Sequence, residues 1–421
     1  FDLLLTSKLF SDILPFKLIL TSDKSRLIKL FSENLFEIID SIFFWTKKTE
    51  KPTIDIIEKS AIKITFLLYF LIIVLITEDL YLQKNKKMAI KILGIESSCD
   101  ETSAAVISDS TVLSNIIANQ DVHEKYGGVV PELASRAHQV NIIPVVDMAL
   151  NKAGINKKDL DAIAYTRGPG LLGSLLVGGS FAKSLSLSLN IPLIEVNHMQ
   201  AHILAHFIED NCNVKTDFPF LGVNISGGHT QIVYCRNYFD MEIIGETLDD
   251  SIGEAFDKCG KMLGLKYPAG PKINKLANEG NENKFNFSKP KVDGLNFSFS
   301  GLKTNFKRFL EKNLKNDKFF IEKEINNLCA SLQLTITEIL FDKVMFAAKQ
   351  KNIFNIVFGG GVSANTKIRG IFKNENNLKL YFPKLEYTTD NAAMIGIAGY
   401  YNYRNGEYAD LSISSSAKVK F

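Results

Sequence analysis

The sequence predicts an α/β protein made of two similar halves with a cleft between them. From Met88 onward, short apolar segments, glycine-bearing turns and amphipathic stretches alternate along the chain, which is typical of a mixed α/β fold. Residues 94–102 (GIESSCDET) and 222–230 (GVNISGGHT) lie 128 positions apart, and each follows an apolar strand and leads into two more. Any two β-hairpins look somewhat alike, but the matched spacing favours a duplicated lobe, and paired lobes commonly enclose a ligand cleft.

The composition sets the class of protein. Of 421 residues, 46% are hydrophobic and 23% charged, and the hydrophobic fraction excludes a disordered chain. The net charge of +3 argues neither for nor against a polyanionic partner. Repeated apolar runs of about 20 residues, as in a polytopic membrane protein, are missing from the sequence. Five cysteines without a CxxC pair indicate a reducing compartment and no disulfide framework.

Residues 1–87 differ from the rest of the chain. They contain no glycine, methionine, histidine or cysteine, although the whole chain has 27 glycines. The longest uncharged run, 64–77, is short for a membrane span and lies too far inside the chain for a secretory signal. A membrane anchor and a helical appendage remain alternatives, and we favour sequence translated from upstream of the true start at Met88. We therefore expect three parts: an extension, 1–87; a first lobe, 88–217; and a second lobe, 218–421, with an insert near 279–299.

The elements of the first lobe follow from local pattern. Three strands follow one another from Lys91 onward. Pro131 then begins a helix that runs to Gly154, and we expect this helix to be broken near Pro144, because proline cannot donate a hydrogen bond inside a helix. A strand at 161–166, a glycine turn with an apolar helix, a strand at 191–197 and a helix at 198–208 follow in order.

The second lobe is predicted to repeat the three strands and then to diverge. Its further elements, in order, are a helix at 253–264, a turn at KYPAGP, a polar insert at 279–299, a long helix at 322–350, a strand–glycine loop–helix start at 355–365, and a loop and helix at 387–401.

Three of the six histidines recur every four residues, at His198, His202 and His206. Histidines four apart share one helical face and can bind one metal ion, although a packed histidine pair is the plainer interpretation. No glutamate follows His198, so this is not the HExxH pattern of a zinc protease. Asp390 is a candidate third ligand, and its plainer interpretation is a helix N-cap.

The two copies of the duplicated turn carry different chemistry. The first supplies two adjacent carboxylates, Asp100 and Glu101, where the plainer interpretation is a solvated hairpin tip. The second replaces them with Gly227 and Gly228, and glycine there allows backbone N–H groups to approach a phosphate. A tight turn needing positive φ is the alternative for the glycines.

Other candidates are weaker. The run FGGGVSAN ends at Asn365, which we expect to bond a ribose or base, although it lacks GxGxxG and GKT/S. Asp257 and Gly270 fall where the opposite wall of a cleft would lie, and Asp257 alone is more often an exposed helix charge. A basic stretch fits a nucleic-acid contact and a solvated helix face equally well; it comprises Lys303, Lys307, Arg308, Lys312, Lys315 and Lys318.

Nine segments in one order carry a family resemblance: GIESSCDET, YGGVVPELASR, GPGLLGSLLVG, NHMQAHILAH, NISGGHTQ, GEAFDK, FSFSGLKT, GGGVSAN and TDNAAMI. Together they resemble the tRNA N6-adenosine threonylcarbamoyltransferase family, once labelled O-sialoglycoprotein endopeptidase. The resemblance covers 88–421 and none of 1–87. It implies an actin-like (sugar kinase/Hsp70-like) two-lobed fold with an interlobe nucleotide cleft, in a cytoplasmic protein.

The resemblance also implies the reaction and its residues. The threonylcarbamoyl group of threonylcarbamoyl-AMP would pass to N6 of adenosine 37 of tRNAs reading codons that begin with adenine. One divalent metal, Fe²⁺ or alternatively Zn²⁺, would be held by His198, His202 and Asp390, and Asp100 or Glu101 would take the amine proton. The adenylate would be held by these residues: Asn224, Ile225, Ser226, Gly227, Gly228, Asp257, Gly270 and Asn365.

The resemblance further implies partners: tRNA, a smaller paralogous actin-like subunit and a P-loop ATPase subunit, since this chain has no Walker A motif. No membrane is implied unless the extension is real. The rival functions are a metalloendopeptidase, for which Gln200 cannot serve as base, an actin-like ATPase or sugar kinase, and a nucleotide-binding scaffold without catalysis.

Overall fold

The computed structural model describes residues 89–120, 123, 126–210 and 216–421. These residues contain two five-stranded sheets. The interpretation of residues 1–87 lies outside the described residues, as does Cys212. The strands are, in chain order, β1 Lys91–Glu96, β2 Thr102–Ser108, β3 Thr111–Ala118, β4 Ala162–Gly168, β5 Leu193–Asn197, β6 Phe220–Ile225, β7 Thr230–Cys235, β8 Met241–Glu246, β9 Asn355–Gly359 and β10 Lys379–Tyr381.

The two sheets share one topology, which confirms the predicted duplication. Their strand orders are β3-β2-β1-β4-β5 and β8-β7-β6-β9-β10, with the first three strands of each lobe antiparallel and the others parallel. Gly94 pairs with Ala105 in the first sheet, and Gly222 pairs with Val233 in the second, at equivalent positions of the repeat. The turns between β1 and β2 and between β6 and β7 are therefore structural counterparts.

Nine helices in the described residues cover these sheets. They are α1 Pro131–Ala153, α2 Leu172–Leu189, α3 His198–Leu204, α4 Ile252–Met262, α5 Gly270–Ala277, α6 Ser300–Asn316, α7 Phe320–Lys351, α8 Thr366–Lys373 and α9 Ala392–Asn405.

The prediction that the first helix breaks near Pro144 was wrong, because α1 continues through it. Pro144 lies on the exposed side of α1, while Ile142, Val145 and Val146 are buried against the sheet. Packing of this apolar side stabilises the helix beyond what one missing hydrogen bond costs.

The helices form layers on and between the sheets. α1 and α2 pack on the outer face of the first sheet, and α3 and α9 lie between the two sheets, where they share a core with both. A Cβ on Gly94 would clash with the backbone of α9 at Ala392, and one on Gly222 would clash with Ile203 of α3. The repeated glycine thus allows one middle helix to approach each sheet closely.

Helix α9 follows the second sheet in sequence yet packs on β1, β2 and β4 of the first. The division of the chain at 217/218 therefore stays a prediction about lobes rather than an observed separation. Residues 279–299 contain no helix, and buried Phe287 and Phe297 anchor this predicted insert to the second core.

One described helix, α2, is long and apolar enough to cross a membrane on length and composition alone. It packs against β4 and α1, and a third of its residues are buried inside the protein. Helices that pack in the cores of soluble proteins have the same composition.

Candidate metal and nucleotide site

Three side chains predicted to bind metal meet between the sheets. His198 Nε2 lies 3.5 Å from Asp390 Oδ1, and His202 Nε2 lies 3.1 Å from the same oxygen. Ligand atoms of the three residues all fall within 4.8 Å of one another. Both imidazoles are almost fully buried, whereas the Asp390 side chain is 19% exposed, so the cluster is open on the aspartate side.

The local sequence places each ligand. Asn197 ends β5 and caps α3, its Oδ1 accepting hydrogen bonds from the N–H groups of Met199 and Gln200. α3 therefore begins at His198, and one turn later His202 points to the same side, with the ring centroids 4.7 Å apart. Asp390 precedes the N-cap of α9, because Asn391 is the residue whose side chain caps that helix.

The arrangement fits a divalent metal by the chemistry of its donors. Two imidazole nitrogens and one carboxylate oxygen converge, which is the usual ligand set of zinc or non-haem iron. His202 presents Nε2 to Asp390, and its other ring nitrogen, the buried Nδ1, has no hydrogen-bond partner in the described structure. These three residues thus form a possible metal site.

Electrostatics between His198 and Asp390 favour the ionised form of the aspartate. Burial alone would lower the pKa of His198, yet Asp390 and Glu96 raise it well above its ordinary value. Burial would raise the pKa of Asp390, but His198 and His202 lower it. The carboxylate is therefore ionised at neutral pH and suited to bind a cation.

The acidic turn lies beside this cluster. Burial, followed by the negative charges of Asp390 and Asp100, raises the pKa of Glu101 well above its ordinary value. A raised pKa makes the ionised carboxylate a stronger base, which suits Glu101 to accept a proton during a reaction. Burial and the same three carboxylates also raise the pKa of the neighbouring Cys99 thiol, which stays protonated.

The second turn presents open backbone. Gly227 and Gly228 are exposed, and a Cβ built on either would meet no atom within 4 Å. The turn is held from below, since Ser251 Oγ donates to Gly227 O and Ser226 N donates to His229 O. His229 itself lies near the histidine cluster: burial, then the charges of His198 and His202, lower its pKa to about 4.

Asp257 of α4 contacts the start of α5, and the cleft wall expected around Asp257 and Gly270 stays a prediction. Asp257 Oδ1 accepts a hydrogen bond of 2.7 Å from Ala269 N, at the start of α5, so it is not the exposed helix charge of the plainer interpretation. Burial raises the pKa of Asp257, although hydrogen bonds from the backbone of Ala269 and Gly270 act to lower it. Burial, followed by the charges of Asp100 and Asp257, also raises the pKa of the Tyr267 phenol.

Comparisons of this sequence with a family profile and with related proteins match the same enzyme family. The sequence profile of the tRNA N6-adenosine threonylcarbamoyltransferases matches residues 111–397. The enzyme of that name from Christiangramia forsetii is 61% identical over 335 residues, covering 79% of this chain and 98% of the relative. Its counterpart from Riemerella anatipestifer is 56% identical over 332 residues, covering 78% and 97%. This chain belongs to the tRNA N6-adenosine threonylcarbamoyltransferase family.

The threonylcarbamoyltransferase fold is also seen in distant structures. HypF from T. kodakarensis matches with a TM-score of 0.52 at 16% identity, over 76% of this chain and 48% of that one. A full-length HypF in a phosphate- and nucleotide-bound form gives a TM-score of 0.51 at 15% identity, over 77% and 48%. At this identity the likeness concerns the fold alone, and it confirms the actin-like α/β class.

Two residues predicted to bind the adenylate use their side chains within the protein. Asn224 is buried, and its Nδ2 donates to Met199 O in α3. Asn365 caps α8 through Oδ1, and its Nδ2 donates to Gln333 Oε1. Their roles as substrate contacts stay predictions, as do those of Ile225, Ser226 and the glycines.

The sequence analysis did not single out Glu96, the residue that ends β1. Its carboxylate is fully buried, accepts a 2.6 Å hydrogen bond from Thr166 Oγ1, and lies 3.0 Å from His198 Nδ1. A buried acid at the carboxyl end of a central strand, next to the duplicated turn, was the available signal.

Proposed function

We propose that this chain transfers the threonylcarbamoyl group of threonylcarbamoyl-AMP to N6 of adenosine 37 in tRNAs that read codons beginning with adenine, forming t6A. The observation that carries the proposal is the meeting of His198, His202 and Asp390 beside an acidic turn. A site of this kind suits acyl transfer, because it combines ligands for a cation with a proton acceptor.

The proposed reaction needs a base for the amine proton and hydrogen-bond donors for the phosphate. N6 of adenine attacks the carbamoyl carbonyl, the carbon–oxygen bond to the phosphate breaks, and AMP leaves with the electron pair. The amine proton must go to a base, and we assign it to Asp100 or Glu101, of which Glu101 has the raised pKa. The phosphate needs donors, and the open backbone at Gly227 and Gly228 supports that role.

His198, His202 and Asp390 would hold one divalent metal, Fe²⁺ or alternatively Zn²⁺. When bound, such an ion supplies positive charge that polarises a carbonyl or phosphoryl oxygen. The protein's own contribution is to orient the ligands, as Glu96 does for His198 at 3.0 Å. Asp257, Gly270 and Asn365 would line the nucleotide side of the cleft.

We propose the same partners that the family resemblance implies, namely a paralogous actin-like subunit and a P-loop ATPase, in the cytoplasm. An apolar surface on the first lobe supports a protein partner: Val140 and Ile143 of α1 are 73% and 65% exposed, and Leu172 and Leu176 of α2 are 49% and 48% exposed. α1 and α2 pack together, so these side chains belong to one face of the lobe. The lobes themselves would be 88–217 and 218–421.

Reconstitution tests this proposal. The full chain is incubated with its partner proteins, threonine, bicarbonate, ATP, the adenylate synthase and unmodified tRNA, and the digested nucleosides are analysed by mass spectrometry. A threonylcarbamoyl-adenosine peak that disappears when position 37 of the tRNA carries guanosine supports the assignment. With adenylate supply verified, no such peak would reject it, and peptide cleavage by the same preparation would favour the metalloendopeptidase.

A further inference from the structure

His138 of α1 is a buried histidine that the proposed reaction does not use. Its imidazole has no solvent exposure, and both ring nitrogens have partners. Nδ1 lies 2.7 Å from Thr102 Oγ1, and Nε2 lies 3.0 Å from the carbonyl oxygen of Cys99. These two partners stand immediately before and after Asp100 and Glu101, so one imidazole spans both ends of the acidic turn.

The partners determine how the ring is protonated. A carbonyl oxygen only accepts hydrogen bonds, so Nε2 carries the proton that Cys99 O receives. Burial lowers the pKa of His138 and keeps the ring neutral, which leaves Nδ1 to accept from the Thr102 hydroxyl. The ring is therefore a neutral double contact that adds no charge to the site.

The remainder of the turn is held from another side. Leu171 N, at the start of α2, donates a 2.7 Å hydrogen bond to Ser98 O. That bond fixes the turn before the two carboxylates, whereas His138 fixes it around them. Such restraint matters because Asp100, Glu101 and Asp390 carry like charges in a half-buried region and repel one another.

We propose that His138 is a positioning residue, which holds the acidic turn so that Asp100 and Glu101 face the site where the amine proton is released. This role rests on the proposed function of the turn as proton acceptor. A misplacement of about 1 Å in a catalytic group costs roughly 100-fold in rate, so loss of both hydrogen bonds is expected to lower kcat by about that factor.

Two variants and a matched control test the role in the full chain. His138→Phe fills the cavity but removes both hydrogen bonds, while His138→Gln keeps a donor for Cys99 O. Val146→Ala is the control, because Val146 is buried in the same helix eight residues after His138 and packs in the hydrophobic core of the first lobe. Hydrogen–deuterium exchange of residues 97–103, kcat and KM for transfer, and bound metal are measured for each.

We expect faster exchange of 97–103 and a roughly 100-fold lower kcat in His138→Phe, with KM and bound metal unchanged. His138→Gln recovers part of kcat, and Val146→Ala changes neither exchange of the turn nor kcat. Exchange and kcat in His138→Phe that match Val146→Ala would overturn the proposal.

A double-mutant cycle separates this inference from the proposed function. In a Glu101→Gln background, His138→Phe should lower kcat little further, because both changes act through the same group. The same cycle is run with Asp100→Asn, and full additivity of His138→Phe with both carboxylate variants would contradict positioning. If Glu101→Gln and Asp100→Asn each leave transfer unchanged, the proton-acceptor role fails, whereas the exchange of 97–103 still decides whether His138 holds the turn.

Discussion

Glu96 Oε2 lies 3.0 Å from His198 Nδ1, and the two buried residues are 102 positions apart in the chain. The contact joins the end of β1 to the start of α3 and turns the other ring nitrogen of His198 toward Asp390. Since the carboxylate accepts the Nδ1 proton, it orients the ring so that a metal ion would take the place of the proton on Nε2.

Replacing Glu96 by glutamine therefore tests the orientation of His198. We expect Glu96→Gln to weaken metal binding by about 10- to 100-fold, because the amide supports the imidazole less well than a carboxylate does. Titration of the metal-free protein with Zn²⁺ or Co²⁺ measures this. Glu195→Gln, which alters a half-exposed acid paired with Arg167 on the neighbouring strand, is the control and should retain full affinity.

Alanine substitutions of His202 in α3 and of His206 after it test which residues bind the metal. His202→Ala removes one of the converging nitrogens, and we expect loss of bound metal and of transfer. His206→Ala changes a buried histidine four residues later that packs edge-on against Tyr381 and lies outside the cluster, so it should keep the metal. Elemental analysis of both variants decides; metal retained by His202→Ala would show that these residues are not the ligands.

The glycine turn allows ligand binding to be tested without disturbing the fold. A methyl group on Gly228 meets no protein atom, so Gly228→Ala should leave the melting temperature unchanged. It should nevertheless weaken binding of AMP or the adenylate, because the methyl group keeps a phosphate from the backbone N–H groups. Gly370→Ala, also without a neighbour within 4 Å, is the matched control for calorimetric titration. Equal affinities in both variants would remove the turn from the binding site.

Asp249 makes one contribution to the free energy of unfolding that depends on pH, because its carboxylate accepts hydrogen bonds at the start of α6. Partial burial would raise its pKa, but hydrogen bonds from Ser298, Ser300 and Phe299 N lower it to about 2, from an ordinary 3.8. A lowered carboxyl pKa favours the native state above pH 4, and that contribution is lost as pH falls toward 2.

Because Asp249 is largely exposed, we expect Asp249→Ala to cost only about 1 kcal/mol of unfolding free energy at pH 7, and less at pH 3. Urea unfolding at both values measures the difference. Asp293→Ala, an exposed acid of the neighbouring insert, should change stability little at either pH. A cost for Asp249→Ala that does not shrink at pH 3 would contradict the electrostatic origin.

Local patterns predicted much of this site. The four-residue spacing of His198 and His202 places both rings on one face wherever a helix forms, and the repeated turn predicted two matching sheets. Asp390 was found through its place before a helix, although the capping side chain proved to be Asn391.

What the sequence could not provide are contacts set by tertiary packing. The buried acid at Glu96 lies 102 residues from its histidine, and no periodicity connects them. Asp257 reads as a surface charge until α5 places its first N–H groups against it. Pro144 was predicted to break the helix because the residues next to it do not reveal that α1 packs on the sheet, and this packing stabilises the helix.

The central claim is that this site transfers a threonylcarbamoyl group to tRNA adenosine. The most direct measurement supplies preformed threonylcarbamoyl-AMP, labelled in the threonine, and follows the label into tRNA by single-turnover kinetics, so that adenylate synthesis plays no part. We predict label on N6 of adenosine with the native chain and background label with His202→Ala. Adenylate hydrolysis without labelled tRNA, or equal labelling by both proteins, would contradict the account.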